Sequence, residues 1–201
     1  MLEKYKTVYE GGEGEIVEKK SRFIATVRPV STEEEALAFI EEMKKKYWDA
    51  RHNCYVYSVG KNREYTRCSD DGEPSGTAGR PMLDVILGED IYNVAVVVTR
   101  YFGGTLLGTG GLVRAYTDAA RACIEATDMV TKCLVVPMRL TTNYTDLGKI
   151  QYMLNNQNIP VVDSTYGEDV MFQIEVLVDE VEQIKKQLIE ATAGRIQIEQ
   201  E

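Results

Sequence analysis

The sequence has 201 residues, 44% of them hydrophobic and 27% charged, with a formal net charge of −9. That is the composition of an ordinary globular protein, long enough for one large domain or two small ones, and its acidity on its face argues against a nucleic-acid partner. Charged residues from Glu3 to Lys20 leave no apolar signal core, and the longest apolar run, Val94–Val98, is far too short for a membrane span.

A cytoplasmic protein with no membrane partner is therefore expected. Cys54, Cys68, Cys123 and Cys133 have neither metal-ligand spacing nor a CxxC motif, so they read as reduced thiols. His52 is the only histidine, which excludes a histidine cluster, and neither a metal nor a cofactor is expected. Charge is uneven along the chain. Lys19, Lys20, Arg22 and Arg28 meet no acid between positions 19 and 28, and Arg51, Lys61, Arg63 and Arg67 meet only Glu64, so a locally basic face is compatible with the acidic total.

In chain order, Tyr5–Val8, a glycine turn at Gly11-Gly12 and Gly14, and Glu15–Val17 predict two strands, followed by a third at Ser21–Val27. Ser31 or Thr32, each with a Glu three residues on, starts a helix whose stripe is Ala36, Phe39, Ile40, Met43 and Tyr47. His52–Val59 reads as a strand, Gly60–Gly79 as a long polar loop, and Pro81–Gly88 as a short helix. The almost wholly apolar Asn93–Thr99 reads as a central strand. Gly103–Gly111 opens a long helix that buries Leu112, Ala115, Tyr116, Ala119, Cys123 and Ile124.

Asp128–Lys132 reads as a linker, giving domains at 1–131 and 132–201. The second has strand Leu134–Leu140, helix Asp146–Asn156, hairpin Pro160–Thr165 and Val170–Val178, helix Val181–Ala191 and strand Arg195–Ile198. That β-α-β-β-α-β order is the ferredoxin-like split motif, and the whole chain reads as a two-domain α+β protein.

Two segments exceed the needs of a scaffold. Arg67–Pro81 and Thr99–Arg114 are both glycine-rich, and both run into a helix start, where free N–H groups and the helix dipole favour anions. The candidate contacts are His52, Arg67, Asp70, Asp71, Ser75, Thr77, Arg80, Arg100, Gly103, Gly104, Gly108, Thr109, Gly110 and Arg114. The two loops are expected to meet in space. Arg100 and Arg114 are expected to project near the glycine loop without serving the core; the competing reading buries Arg100 in an ion pair with Asp70 or Asp71. Walker A fails for want of its Lys, and the dinucleotide fingerprint fails at Val113. Asp70, Asp71 and Glu73 read as solvated charges or caps in preference to a hard-cation site.

Lys20–Ala25, Ala50–Tyr55, Ser69–Gly79, Val97–Gly104 and Gly108–Tyr116 closely resemble the signature of the YigZ/IMPACT family, with Arg51 standing where that family usually has Ala or His. The resemblance implies a ribosomal protein S5 domain 2-like N-terminal domain. It pairs with a ferredoxin-like C-terminal domain similar to domain V of elongation factor G. It also implies translation regulation by binding RNA, the ribosome or a translation factor through the glycine/arginine-rich surface. The alternative is an enzyme acting on a phosphorylated small molecule or nucleotide, and a phosphate-bearing ligand suits either reading.

Overall fold

The computed structural model describes residues 4–200, which divide into two compact units, Lys4–Lys132 and the chain from Cys133 onward. The architecture is mixed α/β, with five helices and three sheets among the described residues. None of those helices is long and apolar enough to cross a membrane.

The first unit is built on a five-stranded sheet. Its strands are β2 (Gly12–Glu18), β3 (Ser21–Pro29), β4 (His52–Val59), β5 (Tyr65–Ser69) and β6 (Val94–Tyr101). They lie in the order β2-β3-β6-β4-β5, and every neighbouring pair is antiparallel. Helix α1 (Glu33–Lys46) covers one face; α2 (Gly79–Gly88) and α3 (Gly108–Glu125) cover the other. The sheet is thus buried on both sides, which is why β6 lacks the polar alternation of a half-exposed strand. Val94, Val96 and Val98 pack into the α2/α3 layer, Ala95 and Val97 into the α1 layer.

Helix α1 starts as its sequence predicts. Thr32 accepts from the Glu35 N–H at 3.2 Å, while the Glu35 carboxylate accepts from the Ser31 N–H at 2.6 Å. Acids fill its first turn and lysines its last, both favourable to the helix dipole.

Several expectations need correction. The polar loop 60–79 contains β5, an exposed edge strand paired to β4. Gly12 and Gly14 belong to β2 instead of a turn, because α3 lies against it; a Cβ on Gly14 would sit 2.6 Å from the Cys123 nitrogen. The expected linker is largely β7 (Met129–Cys133), which pairs with β1 (Lys4–Val8) in a two-stranded sheet.

The second unit has β8 (Val135–Thr142), α4 (Leu147–Asn156), β9 (Val161–Tyr166), β10 (Val170–Leu177), α5 (Val181–Ala191) and β11 (Gln197–Gln200). The strand order is β11-β8-β10-β9, all antiparallel. Met138, Leu140, Ile150, Leu154, Phe172, Ile174 and Leu188 form its core. Both guanidinium nitrogens of the Arg195 fork donate to Asp146 at 2.8 Å just before α4, and this hydrogen bonding holds the Asp146 carboxyl below its usual range.

Candidate functional site

Period-two alternation explains the placement of Arg100. Strand β6 continues through Thr99 to Tyr101, so Arg100 keeps the parity of Val94, Val96 and Val98 and turns into the α2/α3 layer. It stands opposite Phe23 on β3 and opposite His52 on β4. Directly paired residues share a sheet face, so His52 and Arg100 are neighbours. The expectation that Arg100 is exposed is therefore wrong. It is 7% exposed, and its Nη1 donates to Glu73 Oε1 at 2.6 Å. The buried-pair reading was right in kind, with Glu73 as the partner and not Asp70 or Asp71.

Around this pair the two glycine-rich loops meet. A cleft of about 440 Å³ is lined by Arg51 and His52, by Glu73 and Pro74 of the first loop, by Arg100, and by Phe102, Leu106 and Leu107 of the second. Gly108, Thr109 and Leu112 of α3 close it. The N-cap position of α3 is Leu107, which has no side-chain hydrogen bond to offer, so the first-turn N–H groups have no side-chain cap.

Beneath the cleft runs a buried chain of polar contacts. The Tyr116 hydroxyl donates to Glu73 Oε1 at 2.9 Å, and Cys54 Sγ contacts the Tyr116 hydroxyl at 3.3 Å and the Asp70 carbonyl at 2.9 Å. Burial pushes the Tyr116 hydroxyl far above its ordinary value, with the neighbouring Cys54 and Glu73 adding to the effect. Burial likewise pushes the Cys54 thiol well up, so it stays protonated and is no nucleophile.

The acids of the first loop hold the loop itself. Asp70 accepts from the N–H groups of Gly76, Ala78 and Gly79 at 2.8–2.9 Å. Burial raises its carboxyl, but those three donors together outweigh that and leave it below its usual range. Asp71 accepts from the Asn53 N–H at 2.6 Å, and Thr77 donates to the Pro74 carbonyl at 2.6 Å. These three are supports, and negative Asp70 and Asp71 attract no anion.

Of the candidate contacts, then, His52, Arg100, Gly108 and Thr109 line one cleft. Arg67, on β5, donates to the Thr66 carbonyl, and Arg80 pairs with Asp84 one helical turn on. Arg114 is exposed beside Lys19 and Asp118 on a separate recess. Ser75 and Gly104 are exposed and Gly110 lies in the first turn of α3, none of them lining the cleft. Gly103 packs on the β2–β3 turn, where Lys19 and Lys20 both have positive φ; a Cβ there would collide with the Lys20 backbone. The predicted arginine surface is therefore one buried arginine in a largely apolar cleft. The lining residues missing from the candidate contacts are Arg51, Glu73, Pro74, Phe102, Leu106, Leu107 and Leu112. Bulky apolar residues inside a glycine loop were the available signal.

Residues 19–124 match the Impact N-terminal domain, and residues 140–195 match the Domain of unknown function (DUF1949). The chain is 42% identical to the IMPACT family member YvyE of Bacillus subtilis, across 100% of this chain and 92% of that protein. It is 33% identical to the IMPACT family member YigZ of Escherichia coli, across 90% and 89%. A crystal structure of a hypothetical protein at 30% identity superposes with a TM-score of 0.71, covering 98% of this chain and 97% of the other. On these matches the chain belongs to the IMPACT family.

Proposed function

We propose that this protein is a translation-associated binding protein whose first unit takes a phosphate-bearing group of RNA in the cleft between its two glycine-rich loops. The observation that carries this is the uncapped start of α3 facing the same cleft as Arg100. Family membership supports the link to translation that the resemblance implies. The acidic total, −9, fits one phosphate seated in a cleft better than a strand laid along a basic face. The first unit is read as S5 domain 2-like. The element order and the β11-β8-β10-β9 arrangement support a ferredoxin-like second unit, and four free thiols support a reducing, cytoplasmic setting.

Thr109→Asp tests the reading. A carboxylate in the first turn of α3 suits the helix dipole, so the fold should be as stable as before or slightly more so, while a phosphate at that turn meets a like charge. Binding of single-stranded RNA, measured by fluorescence anisotropy, should fall about tenfold or more, and wild-type affinity should show a shallow log–log salt slope near about −1. Full affinity in Thr109→Asp, or a steep slope, sinks it. The second reading, an enzyme acting on a phosphorylated small molecule, is favoured by the size and largely apolar lining of the cleft.

A further inference from the structure

We propose that the cleft binds one nucleoside monophosphate unit, either a free nucleotide or the 5′-phosphorylated end of an RNA. This rests on the reading that an anionic group enters the cleft, and extends it to a phosphate that brings its own sugar and base.

Three features of the cleft ask for three different chemistries. The first is the Arg100 fork. Glu73 takes Nη1 alone, and Nε is buried with no partner. Leaving a buried donor unpaired is costly. A guanidinium with donors to spare grips phosphate or carboxylate strongly, and Arg100 lines the cleft together with Gly108 and Thr109 of α3. Guanidinium edge and helix start together specify an anion.

The second is the free nitrogen of His52. Its Nδ1 lies 2.9 Å from the Asp71 carbonyl oxygen, which only accepts, so Nδ1 carries a proton. In the neutral ring Nε2 is then a bare acceptor, with no protein donor among the described residues. A sugar hydroxyl beside the phosphate supplies the missing donor, and the pairing of His52 with Arg100 across β4 and β6 puts the two groups side by side.

The third is apolar surface that a lone phosphate does not need. Phe102 is 52% exposed and Leu106 84% exposed, and both line the cleft with Pro74. The Phe102 ring has the Arg100 guanidinium 5.7 Å from its centroid and is half-exposed, a surface on which a planar base can stack. A volume of about 440 Å³ suits a ligand of this size.

The test is calorimetric titration of the full chain with adenosine 5′-monophosphate, inorganic phosphate and adenosine, and with short RNAs bearing either a 5′-phosphate or a 5′-hydroxyl. Adenosine monophosphate should bind at least about tenfold tighter than inorganic phosphate or adenosine, since fork and stacking act together. Phe102→Ser, at a half-exposed position that leaves the core intact, should lose roughly tenfold for the nucleotide and nothing for inorganic phosphate. His52→Asn keeps an N–H toward Asp71 and removes the Nε2 acceptor, so it should abolish any preference for the ribose over the dideoxyribose nucleotide.

Tighter binding of the 5′-phosphorylated RNA than of its 5′-hydroxyl twin assigns the RNA end. Nucleotide binding without that difference assigns the free nucleotide and removes RNA from the cleft. RNA binding that ignores both the 5′-phosphate and competing nucleotide leaves the broader reading standing and overturns this one. A nucleotide no tighter than inorganic phosphate, or a Phe102→Ser protein indistinguishable from wild type, overturns it as well.

Discussion

Glu73 receives both the Arg100 guanidinium and the Tyr116 hydroxyl, so truncating Arg100 leaves a nearly buried carboxylate without its cation. With the side chains of Arg100 and Glu73 only 8% and 3% exposed, Arg100→Ala should cost about 3–5 kcal/mol. The double variant Arg100→Met, Glu73→Gln should cost less than Arg100→Ala alone, because it leaves no uncompensated charge; urea denaturation midpoints decide. Asp70 acts at the same scale through pH. Its folded carboxyl lies below its ordinary value, so the stability it adds is complete above about pH 4. That stability drains as pH falls through the depressed value. Asp70→Asn cannot accept three N–H bonds in the same way, so it should be clearly less stable than wild type at neutral pH, with the gap narrowing as pH falls below the ordinary carboxylate range. An unchanged gap in denaturation midpoints would remove Asp70 from the acid limb.

The two glycine loops behave as elements with separable duties. Gly103 lies against the backbone of the Lys19-Lys20 turn, so Gly103→Ala should destabilise by about 1–3 kcal/mol through forced repacking. Gly110 has open space around its Cβ position and sits in the first turn of α3, so Gly110→Ala should leave stability equal or raise it by up to about 1 kcal/mol. Thermal melting of the pair checks both. Much of this was legible in the sequence: the stripe of α3, the Thr32 start of α1 and the apolar β6 each reflect a strong local periodicity. Even the burial of Arg100 was present as parity with Val94–Val98, and stood only as the competing reading because β6 was ended at Thr99. Strands β5 and β7 were not legible. Tyr65–Ser69 is largely exposed at a sheet edge and carries Arg67, and Met129–Cys133 alternates only weakly, so neither displays a core-facing pattern. The cleft itself needed β4, β6 and two loops brought together from distant positions, which no local pattern encodes.

Each unit of the whole molecule has its own hydrophobic core, and the second closes a complete four-stranded sheet under two helices. A fragment of residues 134–201 should therefore fold alone, with a cooperative melt and dispersed amide resonances; a molten fragment would make its stability dependent on the first unit. Protease should spare 128–132, whose backbone is tied into the β1–β7 ladder. The placement of the cysteines gives this division a use. Cys54 and Cys123 are buried in the first unit, burial pushing Cys123 up to about 12 and Cys54 higher still, while Cys68 and Cys133 are exposed. The core of the second unit contains no thiol. A sulfhydryl reagent thus labels two sites at once and two only when the first unit opens, so the slow labelling phase is a clock for that one event, silent to everything the second unit does.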